Sequence, residues 1–167
     1  MGLFDIFKGS DTAVKPSNAN PNDLFKSFLN NHGFKFTFDE KKYGSIFYFA
    51  KDGVDYAVEL STCYSNAADE EFGDTGVRGT IHVSTKVFKG FIDVGGSEEN
   101  GSWVCNEYNH ESGSLSGCFA MISGGDIEIH SEIIYTDVNA ISLMVMHVLA
   151  SMKECVDCFN DEFYHQL

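Results

Sequence analysis

The apolar residues of this chain follow two rhythms, and the switches between them lay out its elements. Leu24, Phe25, Phe28 and Leu29 recur at helical spacing. Asn20 suits an N-cap, Pro21 suits the first helical position, and Asp23 falls in the electropositive first turn. Gly33 supplies a stop, so a helix is expected over residues 21–32. Phe34, Phe36 and Phe38 then alternate with Lys35 and Thr37, which is the period of a strand. A polar turn from Asp39 to Gly44 leads to a second strand over residues 45–51. Its two faces are both apolar: Phe47 and Phe49 on one, Ile46 and Tyr48 on the other. Asp52-Gly53 is a hairpin signal, and Val54, Tyr56, Val58 and Leu60 mark a third strand over residues 54–62.

A polar, acidic loop follows at residues 65–76, and Val77, Ile81 and Val83 mark another strand. Residues 85–95 stay open between helix and strand: Val87, Phe88, Phe91 and Ile92 fit a helical period, but the stretch is short and Gly95-Gly96 breaks it. Ser97 caps a second helix, with Glu98 and Glu99 in its first turn, which carries Trp103, Val104 and Tyr108 to about His110. Gly101 weakens it. Leu115, Phe119 and Met121 begin a strand that Gly124-Gly125-Asp126 turns, and Ile127, Ile129 and Ile133 return. A last long helix starts near Thr136 or Asp137 and reaches about Tyr164. Its stripe is Ile141, Val145, Val148, Leu149, Met152, Val156, Phe159 and Phe163. The order α-β-β-β-(β)-α-β-β-α, with short turns between neighbouring strands, predicts an α+β fold: an antiparallel sheet packed with helices.

At 167 residues this is one domain's worth of chain. Residues 21–167 are expected to form it, with residues 1–20 as a flexible tail in which Leu3, Phe4, Ile6 and Phe7 are followed by a Gly-, Ser-, Asn- and Pro-containing linker. Gly2 raises myristoylation, but Ile6 stands where that pattern wants Ser or Thr. No apolar run approaches the ~20 residues of a membrane span. No basic, long apolar leader is visible, which predicts a cytoplasmic protein without stable membrane insertion.

Charge changes the picture more than composition does. Eleven basic against 25 acidic residues leave a net of −14. That sign opposes nucleic acid and anionic membrane surfaces, since phosphate contacts dominate such binding. An acidic surface keeps a chain with 15 phenylalanines in solution, and it also suits a basic client.

Candidate chemistry is sparse. The five cysteines are Cys63, Cys105, Cys118, Cys155 and Cys158, an odd set that reads as reduced thiols rather than a disulfide framework. Cys155-Val-Asp-Cys158 is a C-x-x-C late in a helix, away from the helix start that activates redox thiols, and it lacks the second ligand pair of a structural zinc site. His110 and Glu111 have the chemistry for acid–base work but no nucleophile or oxyanion donor in a recognisable pattern. The acidic loop lacks the spacing of a calcium loop. No catalytic, metal or cofactor residue is therefore expected, and the chain reads as non-enzymatic.

The stretch Ser102-Trp-Val-Cys-Asn-Glu-Tyr-Asn109, the hairpin at Gly124-Gly125-Asp126 and the long apolar helix ending in Phe159 resemble the bacterial sensory transduction regulator (YbjN-like) family. Asn106, Tyr108 and Asn109 match that family's Asn-x-aromatic-Asn helix end, with Tyr108 where Trp is expected. The resemblance implies a type III secretion chaperone-like fold, a homodimer, and a role in holding segments of client proteins on apolar patches. The expected function is a chaperone-like or regulatory adaptor domain that binds another protein. The alternatives are an immunity-type protein that neutralises a basic toxin, and a small enzyme whose site goes unrecognised. Phe47, Phe49, Trp103 and Tyr108 are the candidate partner-binding residues, chosen as large aromatic anchors.

Overall fold

The computed structural model describes residues 20–62, 79–113 and 117–167. The apolar segment from Leu3 to Phe7, the acidic loop at 65–76, Cys63, Val77 and Leu115 lie outside the described residues.

Local chemistry sets each boundary. Helix α1 spans Pro21–Asn31, and the Asn20 side chain accepts the Asn22 backbone N–H at 2.9 Å. Gly33 follows at φ 72°, the left-handed stop that lacks a Cβ penalty. Strands β1 (Phe36–Lys41), β2 (Gly44–Lys51) and β3 (Val54–Ser61) form a meander. Asp52 and Gly53 both take positive φ, 52° and 79°, the turn whose twist suits a two-residue hairpin. Strand β4 runs Gly79–Phe88, so the open stretch at 85–95 resolves into a strand end followed by turns.

Helix α2 spans Glu98–Tyr108 behind the Ser97 cap and ends in a wider π-type turn, Asn109–Gly113. Strands β5 (Cys118–Ser123) and β6 (Asp126–Tyr135) form the second hairpin. A 3-10 turn, Val138–Ala140, capped by Asp137, leads into helix α3, Ile141–Cys158, which continues through Phe159–Phe163 in wider turns. Among the described residues no helix is long and apolar enough to cross a membrane.

The fold is α+β. One six-stranded antiparallel sheet has the order β1-β2-β3-β4-β6-β5. The helices cover one face of it. Phe25 of α1 sits edge-on to Phe47 of β2 at 5.0 Å between ring centres. The α3 stripe, including Ile141, Val145, Leu149, Met152 and Phe159, is buried with Val58, Ile81, Val83 and Ile129 from the sheet. Burying each such side chain contributes about 1.5–3 kcal/mol. Gly101, a weak point by propensity, has a packing reason. A Cβ there would lie 2.6 Å from Phe91 Cε1 and 2.8 Å from Ile122 Cδ1, so α2 approaches β5 only because that atom is missing.

Candidate functional site

The strands alternate sides, so covering one face leaves the other to solvent. No described element crosses this second face. Cross-strand register lines its residues up in rows. One row reads Thr37, Tyr48, Ala57, Ser84, His130, Phe119 from β1 to β5. The row is a shallow trough across the strands, with the rings of Tyr48 on β2 and Phe119 on β5 toward its ends and the small Ala57 and Ser84 and the buried His130 between them. Tyr48, Phe119 and Met121 are 41%, 42% and 41% exposed. A recess of about 570 Å³ opens on this face, with Tyr48, Ala50, Ala57, Ser84, Lys86 and Glu128 in its lining.

Several polar groups in and beside the trough are tied to one another. His82 Nε2 lies 2.9 Å from His130 Nδ1, one imidazole donating to the other, and the two rings stack with centres 5.1 Å apart. Phe119 stacks on His130 at 5.5 Å. His130 Nε2 is 3.1 Å from Glu128 Oε2, within ion-pair distance but without hydrogen-bonding geometry. Burial, reinforced by His82, pushes the His130 pKa down to about 4. At neutral pH it is an uncharged ring. Burial also raises the Glu128 carboxyl. At the recess rim Lys86 pairs with Asp126, which also accepts the Gly90 backbone N–H at 2.6 Å. That N–H, and then Lys86, hold the Asp126 pKa below its ordinary value.

The structure separates the four expected partner-binding residues. Phe47, Phe49 and Tyr108 are buried. Phe47 and Phe49 pack under α1, and Tyr108 sits edge-on to Phe159 and Phe163 at 5.4 and 5.6 Å. These three are core residues, and the expectation that they form a contact surface is corrected: their size fills the space between sheet and helices. Trp103 is 52% exposed, but it lies on α2, near Ser97 and Asn100, and not on the open face. Tyr48, Phe119 and Met121 went unselected. Their signal was the opposite parity of strands already recognised: Tyr48 lies between Phe47 and Phe49.

Cys155 is buried and Cys158 half-buried on α3. Burial is the main force raising the Tyr108 hydroxyl, with Cys155 next, and burial alone pushes the Cys105 thiol up to about 11. His110 and Glu111 are exposed in the π-type turn. Among the described residues no three His, Cys, Asp or Glu side chains converge in a metal-binding arrangement. No protein-family model matches the chain, and no curated protein matches it at a significant level.

Proposed function

We propose that this chain is a non-catalytic, cytoplasmic protein-binding domain, chaperone-like or a regulatory adaptor, that holds a segment of another protein on the open face of its sheet. The observation that carries this reading is the trough itself. Three large apolar side chains are displayed around a small-residue floor, on a face that no described element covers. Contiguous apolar surface of this kind marks interaction sites, and aromatic side chains supply anchor energy at low entropic cost. The acidic balance of the chain suits a protein partner better than a polyanion. The resemblance to the sensory transduction regulators and the type III secretion chaperone-like fold it implies point the same way, as does the homodimer expected with them.

A photo-crosslinking amino acid placed at Tyr48 and, separately, at Trp103 tests the reading in native cells. Crosslinks to a partner protein are expected from position 48 and not from position 103. Partners captured only through position 103 would move the function to α2. Light scattering of the purified chain should give twice the chain mass if the domain is a homodimer.

A further inference from the structure

Carboxylates on the open face fall into two groups. Asp55 accepts Lys89 at 3.2 Å, Asp126 pairs with Lys86, and Glu128 lies 3.8 Å from Lys86. These acids are compensated. The row next to the trough differs. Its residues are Asp39, Ile46, Glu59, His82 and Glu132, each directly opposite the next in register. Among the described residues no cation lies within ion-pair distance of Asp39, Glu59 or Glu132. Asp39 and Glu132 are exposed and Glu59 is half-buried. The one titratable base among them, His82, already has a ring nitrogen engaged with His130.

We infer that the partner segment is a cationic amphipathic helix that lies across the strands, its apolar side in the trough and its basic flank on the row of Asp39, Glu59 and Glu132. This rests on the open face being the docking surface. The geometry supports it. The three carboxylates sit on alternate strands, so they are roughly 9.6 Å apart. Residues i and i+7 of an α-helix rise about 10.5 Å and share a side. The trough lies two residues further along each strand, roughly 7 Å away, which is less than the width of a helix with its side chains. A helix laid along the row, over Tyr48, Ala57 and Ser84 toward Phe119, therefore carries its flank above the carboxylates. A neutral or acidic segment in the same seat leaves those carboxylates facing it without a countercharge, which disfavours it.

The test uses a synthetic helical peptide with leucines on one side and a lysine at every seventh position of the flank. Its counterparts carry glutamates in place of the lysines, or serines in place of the leucines. Affinity is read by fluorescence anisotropy on the full chain. Asp39→Asn, Glu59→Gln and Glu132→Gln together should weaken the lysine peptide about tenfold, the sum of three modest exposed charge contacts. Glu154→Gln, Asp161→Asn and Glu162→Gln remove the same charge from the helical side of the molecule and should change affinity less than about twofold. The serine peptide and the Tyr48→Ala variant should both bind weakly.

Equal weakening by the two charge sets would reduce the effect to bulk charge and overturn the inference. If lysine and glutamate peptides bind alike, and both lose affinity on Tyr48→Ala, the open face is the docking surface and the cationic partner is wrong. If neither Tyr48→Ala nor the row variants alter binding, the face is not used and both readings fall.

Discussion

His130 shows how a single position reports on the whole arrangement of the open face. It belongs to a β6 row that faces away from the helices, yet it is buried, because His82 and Phe119 close over it. Burial lowers its pKa to about 4 from an ordinary 6.5. Between those two values the unfolded chain holds the proton and the folded protein does not. Acidification through that window therefore removes stability, whereas above the ordinary value neither form is protonated and the contribution is whole. A shift of this size corresponds to about 3 kcal/mol. Urea unfolding of the protein and of His130→Gln, followed from neutral pH to near the folded value, should show the difference between them shrinking on acidification. A constant difference would mean that the ring is charged in the fold. Nothing in the sequence announced this residue, since a histidine between Ile129 and Ser131 carries no mark of what closes over it. Phe47 and Phe49 were visible, and so were Ile46 and Tyr48. What could not be read was which pair the helices would cover, because that choice is made by where α1 lands and not by the strand's own period.

At the scale of elements, caps and turns were the most legible features, because their chemistry is local. Asn20 and Ser97 cap the helices expected of them, and Asp52-Gly53 makes the expected hairpin. The rows across the open face were not legible. They require the β4–β6 pairing, Gly79 opposite Tyr135, between strands separated by α2 and β5. A lone sequence gives no register for so distant a pair. Packing of α2 offers a test in which propensity and fit disagree. Alanine favours a helix interior over glycine by about 1 kcal/mol. At Gly101, however, the added carbon meets Phe91, a buried ring that is also pressed against Gly96 and has no room to retreat. Overpacking of this kind costs about 1–3 kcal/mol. Gly101→Ala should therefore lower the thermal midpoint despite its better propensity, whereas the same change at an unpacked helical glycine would raise it. A raised midpoint would mean that α2 stands further from β5 than described.

For the molecule as a whole, 25 acidic residues against 11 basic ones make self-repulsion a standing cost of compactness. Salt shortens the range of that repulsion, from roughly 30 Å at 0.01 M to about 3 Å at 1 M. The few exposed ion pairs, such as Lys153 with Asp157, contribute little and lose little. Raising sodium chloride should therefore raise the thermal midpoint, and a falling midpoint would show that specific pairs outweigh the net charge. The two margins of the sheet carry a further consequence. Asn109 turns its side-chain amide onto β5, donating to the Ala120 carbonyl at 2.9 Å and accepting the Ala120 N–H at 2.6 Å. At Ala120 it takes the pair of backbone groups that a seventh strand would take, from the first residue of the wide turn that follows α2. The other margin, β1, pairs only with β2 among the described residues. Joining another sheet edge to edge through β5 would have to displace Asn109 from Ala120, so among the described residues β1 is the more accessible margin for such a union.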